Sequence, residues 1–145
     1  MKVAIGCDHG GFALKAAMID LLAGMGHEVI DHGAFSEESV NYPDYARAVV
    51  NDVERGTAAR GILICGTGIG MAMAANRSRK IRAALCHELF TARMSREHND
   101  ANVLCLGARV IGPGLALEMA RVWMTTEFAG GRHLERVAMF SDCSC

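Results

Sequence analysis

Gly61-Ile62-Leu63-Ile64-Cys65-Gly66-Thr67-Gly68-Ile69-Gly70-Met71-Ala72-Met73-Ala74-Ala75 spells out a strand, a turn and a helix in succession. The apolar run up to Cys65 has the length and branched side chains of a buried strand. Glycines at 66, 68 and 70 then let the backbone bend sharply and approach a ligand without Cβ obstruction. Small residues from Met71 to Ala75 continue as a helix. Amide N–H groups exposed at a helix start form a cradle for an anion or oxyanion, and they favour the thiolate form of a neighbouring thiol, which acts as base or nucleophile. The plainer alternative is a buried cysteine that ends a strand before an ordinary turn, since free cysteine packs as a small hydrophobe. The residues around this stretch decide between the two.

Short runs rich in Val, Ile and Leu at 2–7, 28–31, 61–65, 82–86 and 102–106 alternate with helix-length amphipathic segments. That alternation predicts an α/β fold with a parallel sheet. Helices are expected at 12–25, ending at Gly26, and from Asn41-Tyr42-Pro43, because proline suits the first helical position. Tyr45, Val49 and Val53 then share one face. Further helices are expected at 68–76, 88–96 and 113–126, and Gly130-Gly131 breaks the chain before a short helix at 132–140. There is no internal repeat or low-complexity segment.

Ligands of open parallel sheets bind beyond the carboxyl ends of the strands. The first strand delivers Asp8-His9-Gly10-Gly11 there, the third Cys65-Gly66-Thr67-Gly68, the fourth Cys86-His87-Glu88 and the fifth Gly107-Ala108-Arg109. His98-Asn99-Asp100 lies in the connection before the fifth strand. The expectation is that acid, imidazole, thiol, hydroxyl and guanidinium groups converge on one edge.

The 145 residues, 51% of them hydrophobic, suffice for one domain over 1–145, with 131–145 as a C-terminal helix and tail. Lys plus Arg number 15 against 16 Asp plus Glu, so no attraction to nucleic acid or to an anionic membrane is implied. No apolar run approaches a membrane span, and Met1-Lys2 leads into a strand rather than a signal-peptide core, so a cytoplasmic protein is expected. Of the six cysteines, Cys7, Cys65, Cys86 and Cys105 fall at the ends of predicted strands, while Cys143 and Cys145 sit on a terminal tail. Reduced thiols are expected, and no metal, since ligand spacing of the zinc-finger kind does not occur.

Each remaining candidate has a plain reading beside the functional one. Asp8-His9 before two glycines is either a polar turn or a site in which the carboxylate holds a sugar oxygen and the imidazole meets an anion. His98, with Asn99 beside it, is either a second catalytic imidazole or a helix-end dipole partner. Arg132 and Arg136, spaced i, i+4, offer forked donors to a phosphate or form an exposed face balanced by Glu135. Tyr42 before Pro43 aims its phenol at the pocket or packs as a helix staple. Arg77, Arg79, Lys80 and Arg82 read as a solvated connection.

In this order and spacing the residues resemble type B ribose-5-phosphate isomerase, within a wider family that includes galactose-6-phosphate isomerase subunits. The resemblance runs from Val3-Ala4-Ile5-Gly6-Cys7-Asp8-His9-Gly10-Gly11 to Gly130-Gly131-Arg132-His133 and Arg136. Its most specific pieces are Ile64 to Gly70 with Ala74-Ala75-Asn76, and Ser95 to Leu104. It implies a three-layer αβα sandwich, a Rossmann-like five-stranded parallel sheet and an extra C-terminal helix. It also implies no metal or organic cofactor, and a homodimer, or a dimer of dimers, in which that helix reaches the partner's site. The small-molecule substrate would be a sugar phosphate. Carried over by motif, Cys65 would be the base moving a proton between C2 and C1 through a cis-enediolate, and His98 would open the furanose ring. Asp8 and Thr67 would orient the ring oxygen and hydroxyl, and amides of Gly66, Thr67, Gly68, Ile69 and Gly70 would hold the enediolate oxygen. His9, Arg132 and Arg136 would grip the phosphate, while Asn99, Tyr42 and Arg109 would bind the sugar chain or close the interface. One branch of the family places a glutamate base after the last loop glycine, where this chain has Met71.

Ribose 5-phosphate and ribulose 5-phosphate are the expected pair, with allose 6-phosphate, galactose 6-phosphate or a tetrulose 4-phosphate as alternatives. A non-catalytic dinucleotide-binding module suits the strand pattern, but Gly66-x-Gly68-x-Gly70 is not Gly-x-Gly-x-x-Gly, and the next strand ends in Cys86-His87 rather than an acid. A metal hydrolase built on Asp8, His9 and His98 is the third class.

Overall fold

Val3–Cys7, Arg60–Cys65 and Val103–Gly107 are buried at every position, as strands covered by helices on both faces must be. The computed structural model describes residues 1–141 and follows the order β1 (Lys2–Cys7), α1 (Phe12–Gly24), β2 (Glu28–Asp31), α2 (Tyr42–Glu54), β3 (Arg60–Cys65), α3 (Ile69–Ala75), β4 (Ala83–Leu85), α4 (Leu89–Glu97), β5 (Val103–Gly107), α5 (Pro113–Thr125) and α6 (Arg132–Ser141). The five strands form one parallel sheet in the order β2-β1-β3-β5-β4. The chain leaves β1 toward β2 and returns to its other side with β3. That reversal of direction opens a crevice at the carboxyl ends of β1 and β3.

Alternation along the strands sorts the core into two layers. Ile5, Ile62, Ile64, Leu104 and Leu106 meet Met18 and Leu22 of α1, Ala92 of α4, and Met119 and Trp123 of α5. On the opposite face Ala4, Leu63, Cys65, Val103 and Cys105 meet Ala46 and Val49 of α2 and Met71 and Ala75 of α3. Two buried arginines serve the first layer. Arg60 donates to the Trp123 and Met124 carbonyls at 3.0 and 2.9 Å, satisfying the end of α5. Both Arg60 and Arg96 lie over the Trp123 ring, 5.4 and 5.7 Å from its centroid.

The predicted strands and helices all form, with ends shifted by a residue or two. α2 begins at Tyr42, so Pro43 takes its second position rather than its first. Cys105 sits in the middle of β5 rather than at its end, because the strand runs on to Gly107. Cys7, Cys65, Cys86 and Cys105 are free, buried thiols. Burial pushes Cys7 up to about 11 and raises Cys86 and Cys105 as well. Cys143 and Cys145 lie outside the described residues. Among those residues no helix is long and apolar enough to cross a membrane.

Candidate active site

Cys65 ends β3 with its Sγ turned back onto the glycine turn, where the Gly68 N–H donates to it at 3.0 Å. Gly68 makes this possible by its left-handed backbone, φ 78°. An amide aimed at sulfur from that distance stabilises a thiolate more than a thiol, because a hydrogen bond to an ionised acceptor is the stronger one. Thr67 is exposed, and its Oγ1 accepts the Ile69 N–H at 3.3 Å. Two of the five loop residues expected to cradle an oxyanion thus have their amides engaged within the turn.

Neighbouring elements close around this turn. Asp8, buried at the end of β1, accepts the Gly10 and Gly11 N–H groups on Oδ1 at 2.8 and 3.1 Å. Gly10 lies against the turn so closely that a Cβ there would stand 3.2 Å from the Gly66 nitrogen. The Arg109 side chain passes over Gly66, its Cδ 3.3 Å from where a Cβ would be, and the Tyr42 ring comes within 2.8 Å of that position at Gly70. His9 accepts the Val40 N–H on Nδ1 at 3.5 Å, which leaves the neutral ring's proton on Nε2. Asp8, His9, Tyr42, Cys65 to Gly70 and Arg109 therefore form one cluster at the carboxyl edge, as expected.

His98 and Asn99 do not join it. α4 runs antiparallel to the strands, so its last residues lie at the amino edge, where the Asn102 carbonyl accepts the Gly61 N–H at 2.9 Å. Gly61 pairs with Val103, and Cys65, four residues on, pairs with Gly107. At about 3.3 Å per residue these edges stand about 13 Å apart. A connection that enters a parallel strand cannot share the edge at which that strand leaves. The expected convergence of every group on one edge within one chain is corrected accordingly: within one chain His98 does not meet Asp8 and His9. Among the described residues no group of three His, Cys, Asp or Glu side chains could hold a metal ion.

The amino edge carries a second cluster. His98 caps the end of α4, and its ring stacks on His133 near the start of α6, with centroids 4.2 Å apart. The Ala129 N–H ties the approach to α6 to the Glu97 carbonyl at 2.9 Å. Arg132 and Arg136 flank His133 and are exposed, as is Asn99. A cleft of about 470 Å³ opens beside them between Arg77, Arg79, Arg82, Asn99 and Phe140. Arg82 is not the solvated side chain expected of that connection, since it binds Asp100 at 2.7 Å and the Asp100 carbonyl at 2.8 Å. Asp100 also receives Arg96 at 2.8 Å.

Three residues of these clusters were not singled out as site residues from the sequence. Gly107 faces the Thr67 carbonyl, 2.6 Å from where a Cβ would stand. His87 donates from Nε2 to the same carbonyl at 3.4 Å. His133 pairs with His98. His87 and Gly107, each just past a predicted strand, gave a signal in sequence, whereas the pairing of His133 with His98 gave none.

Known proteins share this arrangement along nearly the whole chain. The solved structure of Clostridium thermocellum ribose-5-phosphate isomerase B superposes with a TM-score of 0.96 at 51% identity, covering 98% of this chain and 96% of that one. Ribose-5-phosphate isomerase B of Escherichia coli is 48% identical over 136 residues, 94% of this chain and 91% of its own. D-erythrulose-4-phosphate isomerase of Pectobacterium atrosepticum is 42% identical over 138 residues, again 94% and 91%. The family described as Ribose/Galactose Isomerase matches residues 3–140. Running from the first strand into the last helix, that match means that the chain belongs to the Ribose/Galactose Isomerase family.

Proposed function

We propose that the chain is a cytoplasmic aldose-ketose isomerase that interconverts ribose 5-phosphate and ribulose 5-phosphate, acting as a homodimer of single-domain chains with shared sites. The observation that carries the chemistry is the thiol of Cys65 held by the Gly68 amide at 3.0 Å, at the mouth of a turn flanked by Asp8 and Arg109. His98 gives a proton to the ring oxygen as the bond from C1 to that oxygen breaks and the C1 hydroxyl gives up its own proton to water, leaving the aldehyde, with Asp8 and Thr67 orienting the ring oxygen and hydroxyl. Cys65 as thiolate removes the proton on C2 of the open aldose, and the electron pair moves into a cis-enediolate. The same thiol returns the proton to C1 while the hydroxyl proton passes between the two oxygens, giving the ketose. Nearby amides of the Gly66 to Gly70 turn hold the negative oxygen, which is worth most in a site closed to water. His9, Arg132 and Arg136 grip the phosphate, and Asn99, Tyr42 and Arg109 hold the sugar chain.

Two copies are required because the clusters occupy opposite edges of one sheet. A two-fold axis that sets the carboxyl edge of one chain against the amino edge of its partner completes two identical sites at once. Leu134 and Phe140, 58% and 50% exposed on α6, provide an apolar surface for such a contact. The D-erythrulose-4-phosphate isomerase among the relatives makes the sugar itself the second question. An isomerisation assay with chelator present, run across pentose, hexose and tetrose phosphates, tests both. Turnover of ribose 5-phosphate above the others supports the reading. Tight NAD binding without turnover, or loss of turnover to chelator, contradicts it.

A further inference from the structure

The ring of His133 lies flat on that of His98, with centroids 4.2 Å apart and planes 8° from parallel. Each ring is anchored by its own backbone. The His98 N–H bonds the Met94 carbonyl at the end of α4, and the His133 N–H bonds the Gly130 carbonyl at 3.1 Å. Gly130 and Gly131, with φ of 64° and 54°, shape the turn that delivers α6 to this place.

The surroundings of the two rings differ in sign. His98 stands at a helix C-terminus, an end that favours a cation, and its Nε2 is 3.8 Å from the Glu97 carboxylate. His133 is the second residue of α6, at a helix N-terminus that disfavours one, and Arg132 and Arg136 flank it. Burial first, and then His98, Arg132 and Arg136, push His133 below the ordinary histidine range, with Glu97 opposing them. Two imidazolium ions stacked face to face would repel one another. A charge on His133 is therefore disfavoured beside His98, Arg132 and Arg136.

We propose that His133 is a positioning residue for ring opening: stacked on His98, it fixes the plane from which His98 delivers a proton to the sugar ring. The proposal rests on the reading in which His98 opens the ring. It gives the Arg132-His133-x-x-Arg136 arrangement on α6 two tasks, with the arginines serving the phosphate and the histidine between them serving the neighbouring imidazole.

Three variants separate these roles. His133→Ala removes the stack, His133→Phe keeps a flat ring without a titratable nitrogen, and His98→Asn removes the ring-opening group. Turnover is measured from ribose 5-phosphate, which is cyclic, and from ribulose 5-phosphate, which has no ring, together with inhibition by inorganic phosphate. His133→Ala should lower kcat on the cyclic substrate about tenfold and leave the acyclic one within about twofold, with His133→Phe recovering most of the loss. The ring-current shift of the His98 protons in NMR spectra, retained in the Phe variant and lost in the Ala variant, reads the stack without reference to activity. Equal losses on both substrates, or a Phe variant no better than Ala, overturn the proposal. A loss confined to phosphate inhibition makes His133 a phosphate ligand and overturns it too. If His98→Asn shows no bias between the substrates while the NMR signature persists, the ring-opening reading of His98 is what has failed, and the proposal falls with it.

Discussion

Gly107→Ala touches no substrate and should nonetheless disable the enzyme. A Cβ at Gly107 would stand 2.6, 2.7 and 3.0 Å from the carbonyl oxygen, carbonyl carbon and Cα of Thr67, all backbone atoms that cannot swing aside as a side chain would. Raising 2.6 Å to the 3.4 Å of an ordinary contact requires a retreat of about 0.8 Å by the Thr67 peptide. That peptide links Thr67 to Gly68, whose N–H holds the Cys65 sulfur, so the displacement falls on the bond that presents the thiolate. A misplacement of that size is worth about 10- to 100-fold in turnover. Overpacking a core contact costs about 1–3 kcal/mol, and in a chain of this length about 2–4 °C of melting temperature follows each kcal/mol. The assay is kcat and KM for ribose 5-phosphate at 25 °C beside a thermal melt. A variant that melts a few degrees lower yet retains kcat within about twofold of wild type would refute the claim that the placement of this peptide sets the rate.

Cys65→Ala should lower turnover by at least about 100-fold, while calorimetric binding of ribose 5-phosphate stays within about threefold, because the base is lost and the phosphate contacts are not; substantial residual turnover would remove Cys65 as the base. Burial raises the Cys7 thiol from 9.0 to about 11, so the unfolded chain ionises first as pH rises. The stability this thiol contributes is complete below pH 9 and is lost as pH climbs through about 11. Denaturant midpoints should therefore fall over that interval more steeply in wild type than in Cys7→Ala, and parallel curves would contradict the assignment.

The sheet was legible because its strands are buried on both faces and read as unbroken runs of Ile, Leu and Val, and because glycine marks the turns that follow them. The carboxyl-edge cluster was legible for the same reason: Asp8, Cys65 and Arg109 each come at or just past the end of a strand. The place of His98 was not legible, because it follows from the direction of α4, which puts the connection before β5 at the amino edge of the sheet, and no local pattern reports that direction. The His98–His133 stack and the contact of Gly107 with Thr67 join residues 35 and 40 positions apart. No local pattern reports such pairs, since only the packing of α6 on α4 and of the turn on β5 creates them.

Complementation between two inactive chains tests the shared site most directly. Cys65→Ala and Arg136→Ala are unfolded, mixed in equal amounts and refolded, and isomerisation of ribose 5-phosphate is compared with each variant treated alone. In a mixed dimer with shared sites, one site receives both lesions and the other receives neither. Random pairing should then restore roughly a quarter of wild-type sites. No recovered activity, in samples shown by native mass spectrometry to contain the mixed dimer, would contradict a site built from the carboxyl edge of one chain and the amino edge of its partner.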